Sequence, residues 1–397
     1  MSASSLPAAV PAHVLPVIVL AQFAGTSLWF AVNAVMPDLQ RDWALGPAAA
    51  GTLTSAVQLG FITGTLVFAV LSVADRFSPR WVFLACAVAG AVCNALGAHA
   101  AGSLEVLLGL RFATGFFLAG IYPVGMKIAA SWYPQGLGAA LGWLVGALVL
   151  GTASPHLLRA LGTDWPWQQV MDVVSLLALA GGLLLAATVP DGPHLPRSAR
   201  LQWRALGALW THRPVRASAF GYFGHMWELY TFWVLLPAIV GTRLAGAPAS
   251  AAAFAVIALG TLGCVGGGLL ARRVGSARVA SVQLAASGLC CLLAPWMLHA
   301  PGPVFALWLA VWGITVVGDS PQFSTLTAQN APREAVGSLL TLVNSIGFAV
   351  SIVSIQLFAM LASRVDVAAL LPWLALGPAL GLWMMRGLTR PRAAGTD

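Results

Sequence analysis

Runs of about twenty apolar residues recur along the whole length of this 397-residue chain, each long enough to cross a bilayer as an α-helix. Twelve can be read, at about 14–36, 48–72, 81–100, 104–131, 136–158, 170–189, 217–240, 250–270, 279–298, 303–328, 335–362 and 368–386. Inside lipid, a backbone N–H or C=O must be satisfied within its own segment, so these runs are expected to be helical. Charged residues make up 8% of the chain and apolar residues 59%, whereas soluble domains carry about 25% charge. So few charges cannot cover a soluble surface. The pattern predicts an all-α integral membrane protein with twelve transmembrane helices. The first run reads as a retained helix rather than a signal peptide, because it is too long for an apolar h-region and no basic residue precedes Arg41.

Gly115, Gly120, Pro123 and Pro134 recur 198 positions later as Gly313, Gly318, Pro321 and Pro332. Arg76 and Arg273, Phe23 and Phe223, and Pro37 and Pro237 follow nearly the same offset. Glycine and proline constrain the backbone, so their repetition predicts one supersecondary unit built twice. The expected organisation is an N-terminal six-helix bundle at 1–189, a cytoplasmic linker at 190–216, and a C-terminal six-helix bundle with a cytoplasmic tail at 217–397. In the linker, residues 199–211 can form a basic amphipathic helix, although a solvated connection is the simpler reading.

With the N-terminus placed in the cytoplasm, fifteen of the twenty Lys and Arg residues fall on the inner side. Arg41, Arg111, Arg159, Arg243 and Arg364 fall on or near the outer side. Such a bias orients membrane proteins and puts both termini in the cytoplasm. The basic balance then reflects topology and contact with membrane lipids, not nucleic acid. Trp43, Trp132, Trp165, Trp167, Trp203, Trp210, Trp296 and Trp373 lie near span ends, where indole anchors at the interface. Gly138, Gly142 and Gly146 give the fifth span a small-residue packing face. The five cysteines lie within spans without metal-ligand spacing and read as packing residues. No metal site is expected, and loops outside the linker are too short for a catalytic domain, so the chain is not expected to be an enzyme.

Polar residues inside spans need a reason. Helical spacing puts Gln22, Thr26, Trp29 and Asn33 on one face of the first span. It aligns Tyr222, His225 and Glu228 in the seventh, and Asp319 and Gln322 in the tenth. Glu228 and Asp319 sit well inside their spans, where an ionised carboxylate costs roughly 2.5–3.5 kcal/mol. Each is expected to face a cavity, find a partner or hold a proton, and His225 can share that proton. Arg111 can grip an anionic solute or serve structure, and Lys127 can extend its amine to the inner surface. Gly120–Pro123 and Gly318–Pro321 are expected to bend spans four and ten.

Two six-helix halves joined by a basic loop resemble the major facilitator superfamily. Asp75-Arg76-Phe77-Ser78-Pro79-Arg80 is similar to its loop signature between spans two and three. That resemblance implies a cytoplasmic gate in which the aspartate meets a helix N-terminus and nearby arginines in the outward-open state. In the second half, Arg272 and Arg273 occupy the corresponding loop, with Arg272 where the acid would stand. An aspartate latch would therefore be one-sided. The resemblance also implies alternating access around a midplane site lined by spans one, four, seven and ten.

The resulting expectation is a secondary active transporter, coupled to the proton gradient without a cofactor, for a small polar or anionic solute. Its site candidates are Glu228, Asp319, Arg111, His225, Gln22, Asn33, Tyr222 and Gln322. Within the superfamily, Asn344-Ser345-Ile346-Gly347 resembles a segment of the nitrate/nitrite porters, yet residues 48–72 and 250–270 lack the arginines those porters imply. Drug or metabolite efflux is the alternative, with Trp29, Trp227, Trp233 and Phe323 as aromatic cavity candidates. A non-transporting membrane receptor is a third reading. Arginine and alanine richness suggests a bacterial inner-membrane protein, here expected to act as a monomer.

Overall fold

Nearly every apolar run becomes helix in the computed structural model, which describes residues 10–133, 137–195, 201–362 and 364–388. The chain begins with α1 (Val14–Thr26), α2 (Ala31–Ala34), α3 (Met36–Asp42), α4 (Ala49–Val70) and α5 (Val73–Arg76). It continues through α6 (Pro79–His99), α7 (Leu104–Leu118), α8 (Tyr122–Trp132), α9 (Leu137–Leu161) and α10 (Trp167–Thr188). After α11 (Ala208–Thr211) come α12 (Arg213–Gly241), α13 (Gly246–Val274), α14 (Ser276–Met297) and α15 (Gly302–Gly318). The last elements are α16 (Ser320–Asn330), α17 (Val336–Ala362), α18 (Val367–Leu370) and α19 (Leu376–Met385). No strand occurs among the described residues.

Among those residues, ten helical stretches are long and apolar enough to cross a membrane, and α1 is a shorter apolar helix. The 29-residue α12 is not one of the ten. Its polar stripe of Tyr222, His225 and Glu228 lowers its hydropathy. Spans four and ten bend where the repeated glycines and prolines stand. Helix is interrupted between Leu118 and Tyr122 and again at Asp319, with Pro123 and Pro321 in the first turns that follow. Proline is tolerated there because its missing N–H has no partner to lose. The first span also breaks, between Thr26 and Ala31, with no proline to announce it.

Within the first half, α4 packs on α7, α6 on α7 and α10, and α1 on α9 and α10. Within the second, α13 packs on α15, α14 on α15 and α19, and α12 on α17 and α19. The two halves meet where α9 packs on α13 and α4 on α17. The glycine repeat now has a steric cause. A Cβ on Gly115 would strike the carbonyl of Val57 in α4, and one on Gly313 would strike the carbonyl of Val256 in α13. Each glycine lets the helix that bends run directly against its neighbour's backbone.

Two expectations about the periphery change. Trp167 is buried, and its indole Nε1–H donates to Asp42 Oδ2 at 3.1 Å rather than anchoring at an interface. Trp132 is partly exposed and donates to the Pro190 carbonyl at 3.0 Å, a contact compatible with an interface position. In place of one amphipathic helix over 199–211, a 3-10 turn at Trp203–Gly207 leads into α11, while 196–200 lie outside the described residues. Trp203 and Trp210 are exposed there. Arg390 and Arg392, and residues 134–136 with Pro134, also lie outside the described residues.

Candidate functional site

A cavity of about 1110 Å³ lies between the halves, walled by α8 and α9 on one side and by α12, α13, α16 and α17 on the other. Its lining at the mouth includes Arg272, Ser276 and Val336, of which Arg272 is exposed. Three of the four tyrosines, Tyr122, Tyr222 and Tyr230, line it together with Trp233, Phe323 and Phe348. Gln322, Gln329 and Asn344 add amides. Arg272 is the charged side chain among the described lining residues, and none of them is acidic.

The opposite end of the seam is shut by ring packing and polar contacts. Trp29 lies 5.5 Å from Phe348 and 6.0 Å from Tyr230 by ring centroids, and 4.8 Å from Phe61 of its own half. Beyond this cluster, Ser351 Oγ–H donates to Gln58 Oε1 at 2.9 Å, and Gln356 Nε2–H to Ser55 Oγ at 2.8 Å. Buried polar pairs of this kind give a closed interface one defined register, because neither partner has water to fall back on. The cavity is therefore closed at this end.

Of the residues singled out from sequence, Tyr222 and Gln322 line this cavity, and Trp233 and Phe323 do so too. The Tyr222 hydroxyl donates to Asn344 Oδ1 at 2.5 Å, which leaves the Asn344 amide hydrogens directed elsewhere. His225 and Asp319 stand behind that wall. His225 Nδ1 lies 2.8 Å from Asp319 Oδ1, and both side chains are almost wholly buried. The approach is not aligned as a hydrogen bond, and His225 Nε2 and Asp319 Oδ2 have no hydrogen-bond partner either. The rings of Tyr222 and Phe323 lie 5.7 Å and 5.8 Å from the imidazole. Helical spacing brought Glu228 onto the same face as His225, but its carboxylate turns the other way. It accepts from Trp312 Nε1–H at 2.7 Å, Ser287 Oγ–H at 2.8 Å and Cys291 Sγ–H at 3.2 Å. Trp312 can only donate, whereas the Ser287 hydroxyl, which also reaches the Leu284 carbonyl at 3.2 Å, can donate or accept.

Arg111 does not reach the cavity. Its guanidinium donates to the carbonyls of Leu28 at 3.0 Å and Trp29 at 2.7 Å, and to Asn94 Oδ1 at 3.2 Å. These carbonyls lie in the break between α1 and α2, which explains how that break is tolerated in a buried segment. Asn33 is also committed, donating to Thr54 Oγ1 at 2.8 Å. Gln22 is fully buried, with neither amide atom hydrogen-bonded. Trp227 packs edge-on against Phe358 at 6.1 Å, outside the cavity lining.

At the mouth end, Lys127 does not merely extend to the surface: its amine contacts the Asp75 carboxylate. Asp75 of the loop signature is thus engaged by α8 of its own half. Arg76, Arg272 and Arg273 are exposed. Arg80 lies over the Trp81 ring at 5.2 Å. Sequence reasoning missed Trp312, Ser287 and Cys291 around Glu228, and Gln58, Ser351, Ser55 and Gln356 across the seam. Single serines, cysteines and tryptophans in apolar helices look like packing residues until their partners are known.

The family model described as Major Facilitator Superfamily matches residues 18–355 of the chain. The niacin transporter NiaP of Acinetobacter baylyi is 35% identical over 134 residues, 31% of this chain and 29% of that protein. The 4-hydroxybenzoate transporter PcaK of Pseudomonas aeruginosa is 30% identical over 167 residues, 41% and 36% of the two chains. A chloramphenicol resistance protein of Streptomyces lividans is 30% identical over 187 residues, 46% and 45%. The chain spans less than half the length of each of these relatives.

Proposed function

Because the chain belongs to the major facilitator superfamily, we propose that it is a secondary active transporter carrying a small organic anion together with a proton by alternating access. Twelve crossings result when α12 and the α1–α3 segment join the ten long apolar helices. Two six-helix bundles, 1–189 and 217–397, then rock about the cavity, linked by 190–216 with both termini in the cytoplasm. The protein works as a monomer in a bacterial inner membrane. The proton gradient drives it without a cofactor, and its task is movement of a solute rather than its conversion.

The observation that carries this reading is the His225–Asp319 pair, buried behind the cavity wall with Nδ1 2.8 Å from Oδ1. Neutral histidine beside aspartate leaves a net negative charge in a dry site, whereas one added proton makes the pair neutral. Burial favours the neutral combination, so the loaded pair crosses more easily between states. Tyr222 and Phe323 stand between the imidazole and the solute space, where a change in the pair's charge is felt at the solute. Glu228, hydrogen-bonded to Trp312, Ser287 and Cys291, ties α12 to α14 and α15.

For the solute, ring-lined walls with amide and hydroxyl donors and no acidic lining suit a flat organic anion better than a cation. Niacin and 4-hydroxybenzoate, in the names of two relatives, are both aromatic carboxylic acids. The test is uptake of radiolabelled nicotinate and 4-hydroxybenzoate into liposomes holding the purified protein under an imposed pH gradient. Accumulation that collapses with a protonophore supports the reading; absence of flux for every organic anion tried defeats it. Efflux of a neutral aromatic compound by proton antiport is a second reading, favoured by the same apolar walls and by the resistance-protein relative. Outward movement against inward protons, with altered chloramphenicol susceptibility, would select it.

A further inference from the structure

The break in the first membrane segment is held by a charge from another helix. Between Thr26 and Ala31 the backbone leaves the helix, and carbonyls there lose the regular partners that a continuous helix supplies. In a segment shielded from water such carbonyls must be met by something. Arg111 meets two of them, those of Leu28 and Trp29. The fork of a guanidinium suits this because it reaches adjacent acceptors from one rigid plane. Its third contact, Asn94, is itself fixed by donating to the Met171 carbonyl at 2.9 Å and to Ser175 Oγ at 3.0 Å. A chain of buried contacts therefore runs from α10 through α6 and α7 to the Trp29 backbone.

Trp29 is where that chain ends and the seam begins. Its ring is 1% exposed and rests on Tyr230 and Phe348 of the second half with interplanar angles of 22°. Those two rings line the closed end of the cavity. Tyr230 and Phe348 therefore face the cavity on one side and Trp29 on the other.

We propose that Arg111 is the positioning residue of a gate whose plug is Trp29: by gripping the Leu28 and Trp29 carbonyls it sets the indole across the seam and keeps the end opposite the cavity mouth shut. Arg111 touches no solute in this assignment. It acts through the break, and the break places the ring. The assignment rests on the alternating-access reading for its use in transport, but the position of the plug can be read whatever the solute proves to be.

Ser351 lies just beyond the plug and is wholly buried. A Ser351→Cys protein in right-side-out and in inverted membrane vesicles, treated with a membrane-impermeant maleimide, reports which end is open. The same protein without Ser351→Cys gives the background. Arg111→Gln and Trp29→Leu, each in the Ser351→Cys protein, are expected to raise labelling severalfold from the end opposite the cavity mouth. Combining them is expected to add nothing further, because one acts through the other. Arg111→Lys keeps the charge without the fork and is expected to fall between. Should Arg111→Gln not accumulate, Arg111→Lys and Trp29→Leu carry the comparison. Unchanged labelling in Trp29→Leu overturns the plug. Equal labelling of Arg111 variants and parent, or additive effects of the two substitutions, overturns the role of Arg111. Loss of solute flux with the labelling changes intact bears on the proposed solute instead.

Discussion

His225 Nδ1 approaches Asp319 Oδ1 to 2.8 Å at the corner where α15 gives way to α16. The pair couples a rigid helix to a hinge, since Asp319 is the residue at which the tenth apolar run bends while His225 sits in the uninterrupted α12. A proton added to or taken from this contact changes the force between an element that turns and one that does not.

Glu228 and Asp319 are expected to separate when each is neutralised. Glu228→Gln replaces one carboxylate oxygen by an NH2 group, so the contact at that position must reverse or break, at a cost of roughly 1 kcal/mol. Thermal unfolding in detergent should fall accordingly, while proton-driven uptake by the surviving protein persists. A Glu228→Gln protein as stable as the parent but uncoupled would reverse the roles of the two carboxylates.

The repeated glycines allow a steric comparison. Alanine at Gly115 or Gly313 places a methyl against a neighbouring helix carbonyl, and overpacking of this kind costs roughly 1–3 kcal/mol. Gly142 has open space at the same position. Melting curves should show both repeat positions destabilised and Gly142→Ala close to the parent.

Much of the architecture was legible for reasons those glycines illustrate. Apolar length fixes membrane helices, and residues that alter the backbone itself, such as Gly115, Pro123, Gly313 and Pro321, leave a mark that no side-chain context erases. The break after Thr26 was not legible because its support comes from Arg111, 82 residues from Trp29. The site was legible only in part. Period 3.6 aligned Tyr222, His225 and Glu228, but helical phase does not say which neighbour each side chain meets, and rotamers sent Glu228 to Trp312 and His225 to Asp319. Charge alone also suggested an anion-binding role for Arg111, whereas backbone carbonyls claim its donors.

The Asp75–Lys127 contact should bias the resting state. It joins two elements of one half at the mouth end and engages the acid that a latch between halves would need. Lys127→Gln is expected to remove this tie and lower maleimide labelling of a Gln329→Cys reporter inside the cavity. The contact is one of several that hold this end, so the shift should be partial. Exchanging the two residues as Asp75→Lys with Lys127→Asp should restore it. Identical reporter labelling in all three proteins would remove the contact from the switching equilibrium.

The cavity donors should tune affinity without setting the proton requirement. Tyr222→Phe removes the hydroxyl that holds Asn344, and an unmade hydrogen bond of this kind is worth about 1 kcal/mol. The half-saturating solute concentration should rise severalfold with the pH dependence of uptake unchanged. A displaced pH profile with unaltered affinity would place Tyr222 in the proton path.

Coupling itself is tested by comparing two modes of transport in one liposome preparation. In the parent, a solute that accumulates under an imposed pH gradient should also exchange at equal pH on both sides. In Asp319→Asn, gradient-driven accumulation should vanish while exchange of labelled for unlabelled solute continues, since exchange needs the rocking of the halves but no net proton movement. Accumulation that survives in Asp319→Asn at the parent's level would contradict the assignment of the proton to the His225–Asp319 pair.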